Sequence, residues 1–393
     1  MKVLKIAKLM SASGWIEPAY LEVDGQGIIK SAEAYTKKTV TNNISGWAMP
    51  DIPNAHSHAF QFAMAGKAEY LPASAQGDDF WSWRKAMYDL ALTITPEQMQ
   101  SIATRLYTEM HKRGYGSVVE FHYLHHQTNG TPYDNFTEMA ERLLVAAQTA
   151  NIAITLIPVH YQTGNFGENA QDKQRRFIFK NSETYLKYLA LLEKKISAFK
   201  NARLGFGIHS LRAAPADAIR EILSSAPKNA PFHMHISEQQ KEVTDCLKYY
   251  RQRPVEWLLN NLSVNETFNL VHATHINQEE LEGLVAAKAN VVLCPTTEGN
   301  LGDGIFPLKE YHHLGGRYCI GTDSHVCQNP LEELRWLDYV QRLKHHVRNP
   351  LCTPGGPGSG ELMLRSVIGN GQAACGEIPF TYENRSIGSI LVS

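Results

Sequence analysis

GWAMPDIPNAHSH, residues 46–58, joins a short apolar run to a His56-x-His58 doublet, and no Gly-rich phosphate loop follows it. Seven more runs of this kind occur along the chain, at 117–122, 154–159, 204–208, 232–236, 269–272, 290–294 and 318–321. Between most of them apolar residues recur at helical spacing. Thr95-Pro96-Glu97 supplies an N-cap, an N1 proline and an early carboxylate ahead of the stripe Met99, Ile102, Leu106 and Met110, and Gly114 closes it. Residues 134–150, 182–200, 215–225, 277–288 and 329–346 behave similarly. Eight strand-like runs alternating with helices, without the phosphate loop of an open doubly wound sheet, predict an α/β protein built on a (β/α)8 TIM-type barrel.

Outside the barrel, Leu21-Glu22-Val23 and Gly27-Ile28-Ile29 read as short strands joined at Asp24-Gly25, which predicts a small β appendage. Residues 354–358 (PGGPG) form a loop, 362–374 a helix and 387–392 a last strand. The expected organisation is 1–45 as the first part of a small β domain, 46–350 as the barrel, and 351–393 as a helix and a return strand. Against 39 Asp+Glu stand 38 Lys+Arg, a net charge of −1, so no broad basic field exists to hold nucleic acid. Lys2, Lys5 and Lys8 break up the first residues, and no window approaches 18 uncharged apolar residues, which argues against export and against a membrane partner. The six cysteines contain no C-x-x-C pair, as expected of reduced thiols in a cytoplasm.

The 17 histidines matter for where they sit. In a strand, residues i and i+2 share a face, so His56 and His58 can point at one ion. The fifth run gives His233-Met234-His235-Ile236-Ser237-Glu238, the sixth ends at His272, and the eighth leads into Asp323-Ser324-His325. In a barrel the C-terminal strand ends form one rim, so these groups converge, and one divalent cation accounts for the set. Imidazoles with a carboxylate suit Zn2+, or alternatively Fe2+, better than Mg2+ or Ca2+. Such an ion acidifies its water to a pKa of about 7. Glu238, three residues beyond His235, stands beside it as a proton carrier. Arg84 and Arg212 follow apolar or aromatic segments and are forks for carboxylates, which points to a small acidic substrate. His122, His125, His126, His160 and His275 are weaker candidates near the same rim.

PNAHSHAFQFAMAG (53–66), FWSWRKAMY (80–88), EFHYLH (120–125), GIHSLR (207–212), HMHISEQQKEV (233–243), CPTTEGNLGDGIFP (294–307) and GTDSHVCQNPLEELR (321–335) together resemble the amidohydrolase superfamily, and within it the deiminases of N-formimino-L-glutamate. The resemblance implies His56, His58, His235 and Asp323 as ligands of one divalent metal, Glu238 and Asp323 as proton carriers, and His272 as a hydrogen-bonding partner of the group under attack. It also implies that Gln61, Arg84, Tyr123, His209 and Arg212 hold the glutamate part, and that the reaction yields N-formyl-L-glutamate and ammonia. Members of this group continue past the barrel into further strands of a β-sandwich. This chain stops at Ser393, so its small domain is expected to be shortened, with uncovered strand edges. A homodimer is compatible with this reading. Two other functions compete: a deaminase of a nucleobase or other cyclic amidine, which would not need two carboxylate forks, and a catalytically silent metal-binding protein, which would not need Glu238 and His272.

Overall fold

Apolar runs become barrel strands here because both faces of each are covered, one by the barrel interior and one by helices. The computed structural model describes residues 1–68 and 80–392. Its main sheet is parallel throughout, in the order Ile52–Ser57, Tyr115–His122, Ala153–His160, Phe206–Ile208, Phe232–Ile236, Phe268–His272, Asn290–Leu293 and Arg317–Ile320, referred to below as the first to eighth barrel strands. A short strand, Ala202–Leu204, also pairs with the third. Gly205 separates it from the fourth because the chain passes too close to its neighbours there: a Cβ would lie 2.3 Å from Ile157 Cδ1 and 2.7 Å from the Pro231 carbonyl oxygen.

The helix expected after Thr95 spans Pro96–Lys112, with a reciprocal capping box between Thr95 and Gln98. Asn277 and Asn329 likewise cap Gln278–Ala286 and Pro330–His345. Two helices between the fifth and sixth strands, Gln240–Tyr250 and Pro254–Asn261, were not anticipated from the sequence, and neither was Phe80–Ala91.

One expectation needs correction. The run at 46–52 is not the first barrel strand: Asn42–Pro50 belongs to a second sheet, and the first barrel strand begins at Ile52, after the single residue Asp51. The two strands are separated by Asp51 alone and differ in environment, the first exposed or half-exposed except at Ala48 and Pro50 and the second buried throughout. This second sheet has the order Ile390–Val392, Asn42–Pro50, Lys2–Ser11, Ala19–Val23, Ile29–Glu33, with Gly14–Ile16 paired to Lys2–Ser11. Its core is Ile6, Leu9, Ala19, Leu21, Val23, Ile29, Ala48, Tyr382 and Ile390. The turn at Asp24-Gly25 is present, with Asp24 Oδ1 accepting from the backbone N–H groups of Gln26 and Ile28, both at 2.9 Å. Among the described residues no helix is long and apolar enough to cross a membrane.

The barrel closes where its eighth strand meets its first. The backbone N–H groups of Thr322 and Asp323 both donate to the His56 carbonyl at 3.0 Å, and the His58 N–H donates to the Asp323 carbonyl at 3.2 Å. Asn54 locks the join from below: its amide nitrogen donates to Thr322 Oγ1 at 2.8 Å, and its carbonyl accepts from the Thr322 N–H at 3.0 Å. Gly321 permits this approach, since a Cβ there would lie 2.6 Å from His56 Cβ and 2.9 Å from the His56 backbone nitrogen. Gly321→Ala should therefore cost on the order of 2 kcal/mol of stability by forcing the two strands apart. Gly360→Ala, at a helical position with no atom within 4 Å of the new methyl group, should be neutral or slightly stabilising. Urea-denaturation midpoints of the two variants check this.

Candidate active site and metal centre

At the C-terminal rim of the barrel the Nε2 atoms of three histidines meet. His56 lies 3.1 Å from His58 and 3.0 Å from His235, and His58 lies 3.3 Å from His235. Asp323 Oδ1 lies 3.3 Å from His56 Nε2 and 3.1 Å from His58 Nε2. The far nitrogens decide the tautomers of two of the rings. His58 Nδ1–H donates to the Phe121 carbonyl at 2.9 Å and His235 Nδ1–H to the His209 carbonyl at 3.1 Å, and a carbonyl can only accept. Neutral rings so fixed turn bare Nε2 lone pairs toward one another and toward a carboxylate oxygen. Burial opposes charging His56 and His235, pushing the first down to about 3 and the second well below the usual range. The four groups are all buried, and with their far protons so placed the Nε2 atoms of His58 and His235 can only accept, from a cation or from a proton carried by His56 or Asp323. A tetrahedral shell of bonds of about 2.0–2.1 Å would set its donors roughly 3.3 Å apart, which is close to the spacing found. The donor set fits one divalent cation.

Supporting residues hold these side chains in place. Glu120, on the second strand, accepts from Ser57 Oγ at 2.7 Å, Tyr107 OH at 2.9 Å and the Ala59 N–H at 2.7 Å, and so pins the segment that carries His56 and His58. Its burial raises its pKa to about 7. His325 is held between Thr322 Oγ1 at 3.0 Å and Ser57 Oγ at 3.3 Å. Ser237, His272, Ala273, Asp323 and His325 all have positive φ, a concentration of backbone strain at the rim.

Beside the cluster, Glu238 is buried with Oε1 3.6 Å from His272 Nε2. Burial raises the pKa of Glu238, although His272 and Arg212 act against it. Burial alone would discharge His272, yet the carboxylates of Glu238, Glu298 and Asp323 outweigh it and lift its pKa to about 10. Asp303 stands close by, within reach of both Glu238 and His272, and accepts from the Gln239 amide; its burial, with Glu238 adding to it, raises its pKa to about 9.

A cavity opens directly against this cluster, lined by His58, His235, Glu238 and Asp323 on one side and by Gln61, Arg84, Tyr123, His209 and Arg212 on the other. Nine of the eleven residues expected from the sequence line it; His56 lies beneath, behind the other imidazoles, and His272 behind Glu238. Arg84 stacks on Trp81 and Tyr88, 5.2 and 5.0 Å from their ring centres, and its Nε–H donates to Tyr88 OH at 2.6 Å. Arg212 is buried, and among the described residues its guanidinium donates to Tyr161 OH at 3.4 Å. Among the described residues neither guanidinium has a carboxylate within 4 Å. Gln61 donates to Tyr123 OH at 2.8 Å, and its carbonyl oxygen is unpartnered among the described residues.

The structure gathers the weaker histidines elsewhere. His122, His125, His126 and His160 pack with Phe179, Tyr185 and Tyr188 in an aromatic cluster, where burial lowers every one of them, His122 to about 3 and His160 to about 4. His275 lies half-buried, its carbonyl accepting from Arg253. Sequence reasoning missed Tyr88, Tyr161, Glu120, Glu298 and Asp303. A signal existed for two of them: Tyr88 follows Arg84 by one helical turn, and Glu120 is an acid inside an otherwise apolar strand.

A parallel barrel whose rim carries this donor set defines a metal-dependent hydrolase acting on carbon–nitrogen bonds, and the chain belongs to the amidohydrolase family, which it matches over residues 47–355. It is 40% identical over 378 residues to the formimidoylglutamate deiminase of Pseudomonas aeruginosa, a match covering 96% of this chain and 83% of that protein. A 5-methylthioadenosine/S-adenosylhomocysteine deaminase of Pyrococcus furiosus is 35% identical over 120 residues, 30% of this chain and 29% of that protein. Among solved structures, an amidohydrolase from Brucella melitensis superposes with a TM-score of 0.91 at 39% identity, covering 98% of this chain and 85% of that one.

His56→Ala removes a donor that lies within 3.3 Å of the other three. After a chelator wash and reloading, elemental analysis should find one metal per wild-type chain and less than about a tenth of that in the variant, with unchanged far-ultraviolet circular dichroism.

Proposed function

We propose that this chain hydrolyses N-formimino-L-glutamate to N-formyl-L-glutamate and ammonia, with a single zinc ion held by His56, His58, His235 and Asp323. The observation that carries the reading is the pair of guanidiniums, Arg84 and Arg212, that face the cavity with phenols rather than carboxylates as their partners among the described residues. Arg212, buried in that way, is costly until an anion arrives, Arg84 beside it is half-buried, and a substrate with two carboxylates supplies one for each. The likeness to the Pseudomonas aeruginosa deiminase supports the same choice of substrate. A cyclic amidine would leave both guanidiniums facing a neutral ring. The six cysteines are all free, which supports a cytoplasmic setting.

When bound, the ion supplies Lewis-acid chemistry, polarising the amidine and acidifying water. The protein's own groups do the rest. Arg84 and Arg212 fix the two carboxylates, Gln61, Tyr123 and His209 complete the grip, and the formimino carbon is thereby held against the Glu238 side of the cavity. Glu238, its proton affinity raised by burial, accepts a proton from the attacking water and returns it to the imino nitrogen. His272 hydrogen-bonds the oxygen being added. Addition of water gives a tetrahedral carbon bearing OH and NH2; Asp323 takes the hydroxyl proton, the C–N bond breaks, and that proton leaves with the nitrogen as ammonia while the carbon becomes the formyl group.

Glu238→Gln keeps the size and removes the titrating carboxylate, so kcat should fall at least about 100-fold with metal content unchanged, as read by steady-state kinetics alongside elemental analysis. For the substrate, wild type should prefer N-formimino-L-glutamate over N-formimino-glycine, guanine and cytosine in an ammonia-release assay. Arg84→Met or Arg212→Met should lower kcat/KM for it on the order of 30-fold or more. Faster release from a nucleobase, or indifference to both arginine changes, overturns the assignment. Elemental analysis that finds iron in place of zinc overturns the choice of metal alone.

A further inference from the structure

The short helix that follows the seventh strand, Pro295–Leu301, contributes little to the cavity wall, yet three successive side chains on it reach neighbouring parts of the rim. Thr296 donates to Glu333 from both its N–H, at 3.0 Å, and its hydroxyl. Thr297 Oγ1 donates to the Thr322 carbonyl at 3.1 Å and lies 3.0 Å from Ser324 Oγ, on either side of Asp323. Glu298 turns the other way, toward the sixth strand. Its Oε1 accepts from the Cys294 N–H at 2.9 Å and lies 3.3 Å from His272 Nδ1. The first bond anchors the carboxylate to the start of its own helix, and the second transfers that fixed position to the imidazole.

A carboxylate has only acceptor capacity, so His272 Nδ1 must carry a proton toward it. The ring is then held in one orientation, with Nε2 facing Glu238 Oε1 at 3.6 Å and no hydrogen-bond partner for that nitrogen among the described residues. His272 itself sits at φ +68° and is followed by Ala273 at φ +49°, so the backbone that presents the ring is strained and needs bracing. Glu298, buried like the ring it touches, provides the bracing.

We propose that Glu298 is a positioning residue: anchored by the Cys294 backbone, it fixes the orientation of His272 and holds the Nδ1 proton, so that Nε2 is presented to the reacting group beside Glu238. The kinetic part of this inference rests on the proposed deiminase reading; the part concerning the Nδ1 proton does not.

The experiment compares wild type with Glu298→Ala, Glu298→Gln, His272→Asn and the double variant His272→Asn/Glu298→Ala. Ring nitrogens are observed by 15N NMR in histidine-labelled protein, as purified and again after the metal is stripped, with the His272 signals assigned by their loss in His272→Asn. Protonated Nδ1 is expected in wild type and in Glu298→Gln, whose amide oxygen can accept both bonds, and its loss or exchange broadening in Glu298→Ala. On whichever amidine the wild type turns over, Glu298→Ala should lower kcat about 10- to 100-fold with KM within about 3-fold and metal content unchanged. Glu298→Gln should stay within about 3-fold of wild type. The double variant should be no slower than His272→Asn alone, because the effect passes through that ring. If Glu298→Ala does not fold, Glu298→Asp, which withdraws the carboxylate by one methylene, serves in the same comparison. An unchanged Nδ1 proton together with unchanged kcat, or an equal loss in the His272→Asn background, overturns the proposal, since a purely structural role would slow both backgrounds alike. Failure of wild type to hydrolyse N-formimino-L-glutamate would overturn the deiminase reading, while the ring spectra would still decide the role of Glu298.

Discussion

Four possible donors to a metal crowd one point of this molecule, His56 Nε2 with two further imidazole nitrogens and a carboxylate oxygen within 3.3 Å of it, and most of the rim is arranged to keep them there. Each element that holds them acts by removing an alternative. Backbone carbonyls take the far protons of His58 and His235, so those rings cannot turn over without losing a bond. Glu120 satisfies the hydroxyl between the two first-strand histidines and the N–H just beyond them. What would be frustration in an ordinary core becomes affinity here, because the desolvation of the donors has already occurred before any ion arrives.

The other side of the cavity follows the same logic with the opposite sign. Arg212 is buried and Arg84 lies flat between two aromatic rings, and each is given phenol oxygens instead of acids. Tyr88 and Tyr161 are in turn tied together by Gln174, which donates to both. Phenols are weak enough partners to be outbid by an incoming carboxylate and polar enough to keep the guanidiniums from collapsing onto the acids around Glu238. A negatively charged side chain in place of either tyrosine would pair the arginine permanently.

Much of this was legible in the sequence for physical reasons. Strands covered on both faces are continuously apolar, so the fifth and sixth stood out almost to the residue, and a histidine or acid just past such a run is visible by contrast. The strand Lys2–Ser11 was hidden because Lys2 and Lys5 are exposed and interrupt its apolar residues at a spacing of three, which breaks the alternation a strand is read from. The first barrel strand was displaced because the strand before it ends one residue earlier, with no glycine or other break between them. Glu298 and Asp303 were read as part of a resembling segment and given no task, since what they do depends on which strand end lies opposite, and that is set by the closed barrel rather than by spacing along the chain. Tyr161 shows the same limit, for its role rests on Arg212, fifty-one positions away.

The join between the first and eighth strands has a consequence for how the protein is made. Asn54 and Thr322 are 268 positions apart, and the histidine doublet and Asp323 flank that same join. The ribosome therefore releases the doublet, and later His235, well before the carboxylate that completes the donor set exists. Until the last strand emerges and the ring of strands is shut, a nascent chain offers passing ions only a loose, partial set of imidazoles. Topology thus makes high-affinity capture a late event in synthesis, and an ion that binds only the closed form lends its binding free energy to the contact that shuts the barrel, between residues 268 positions apart.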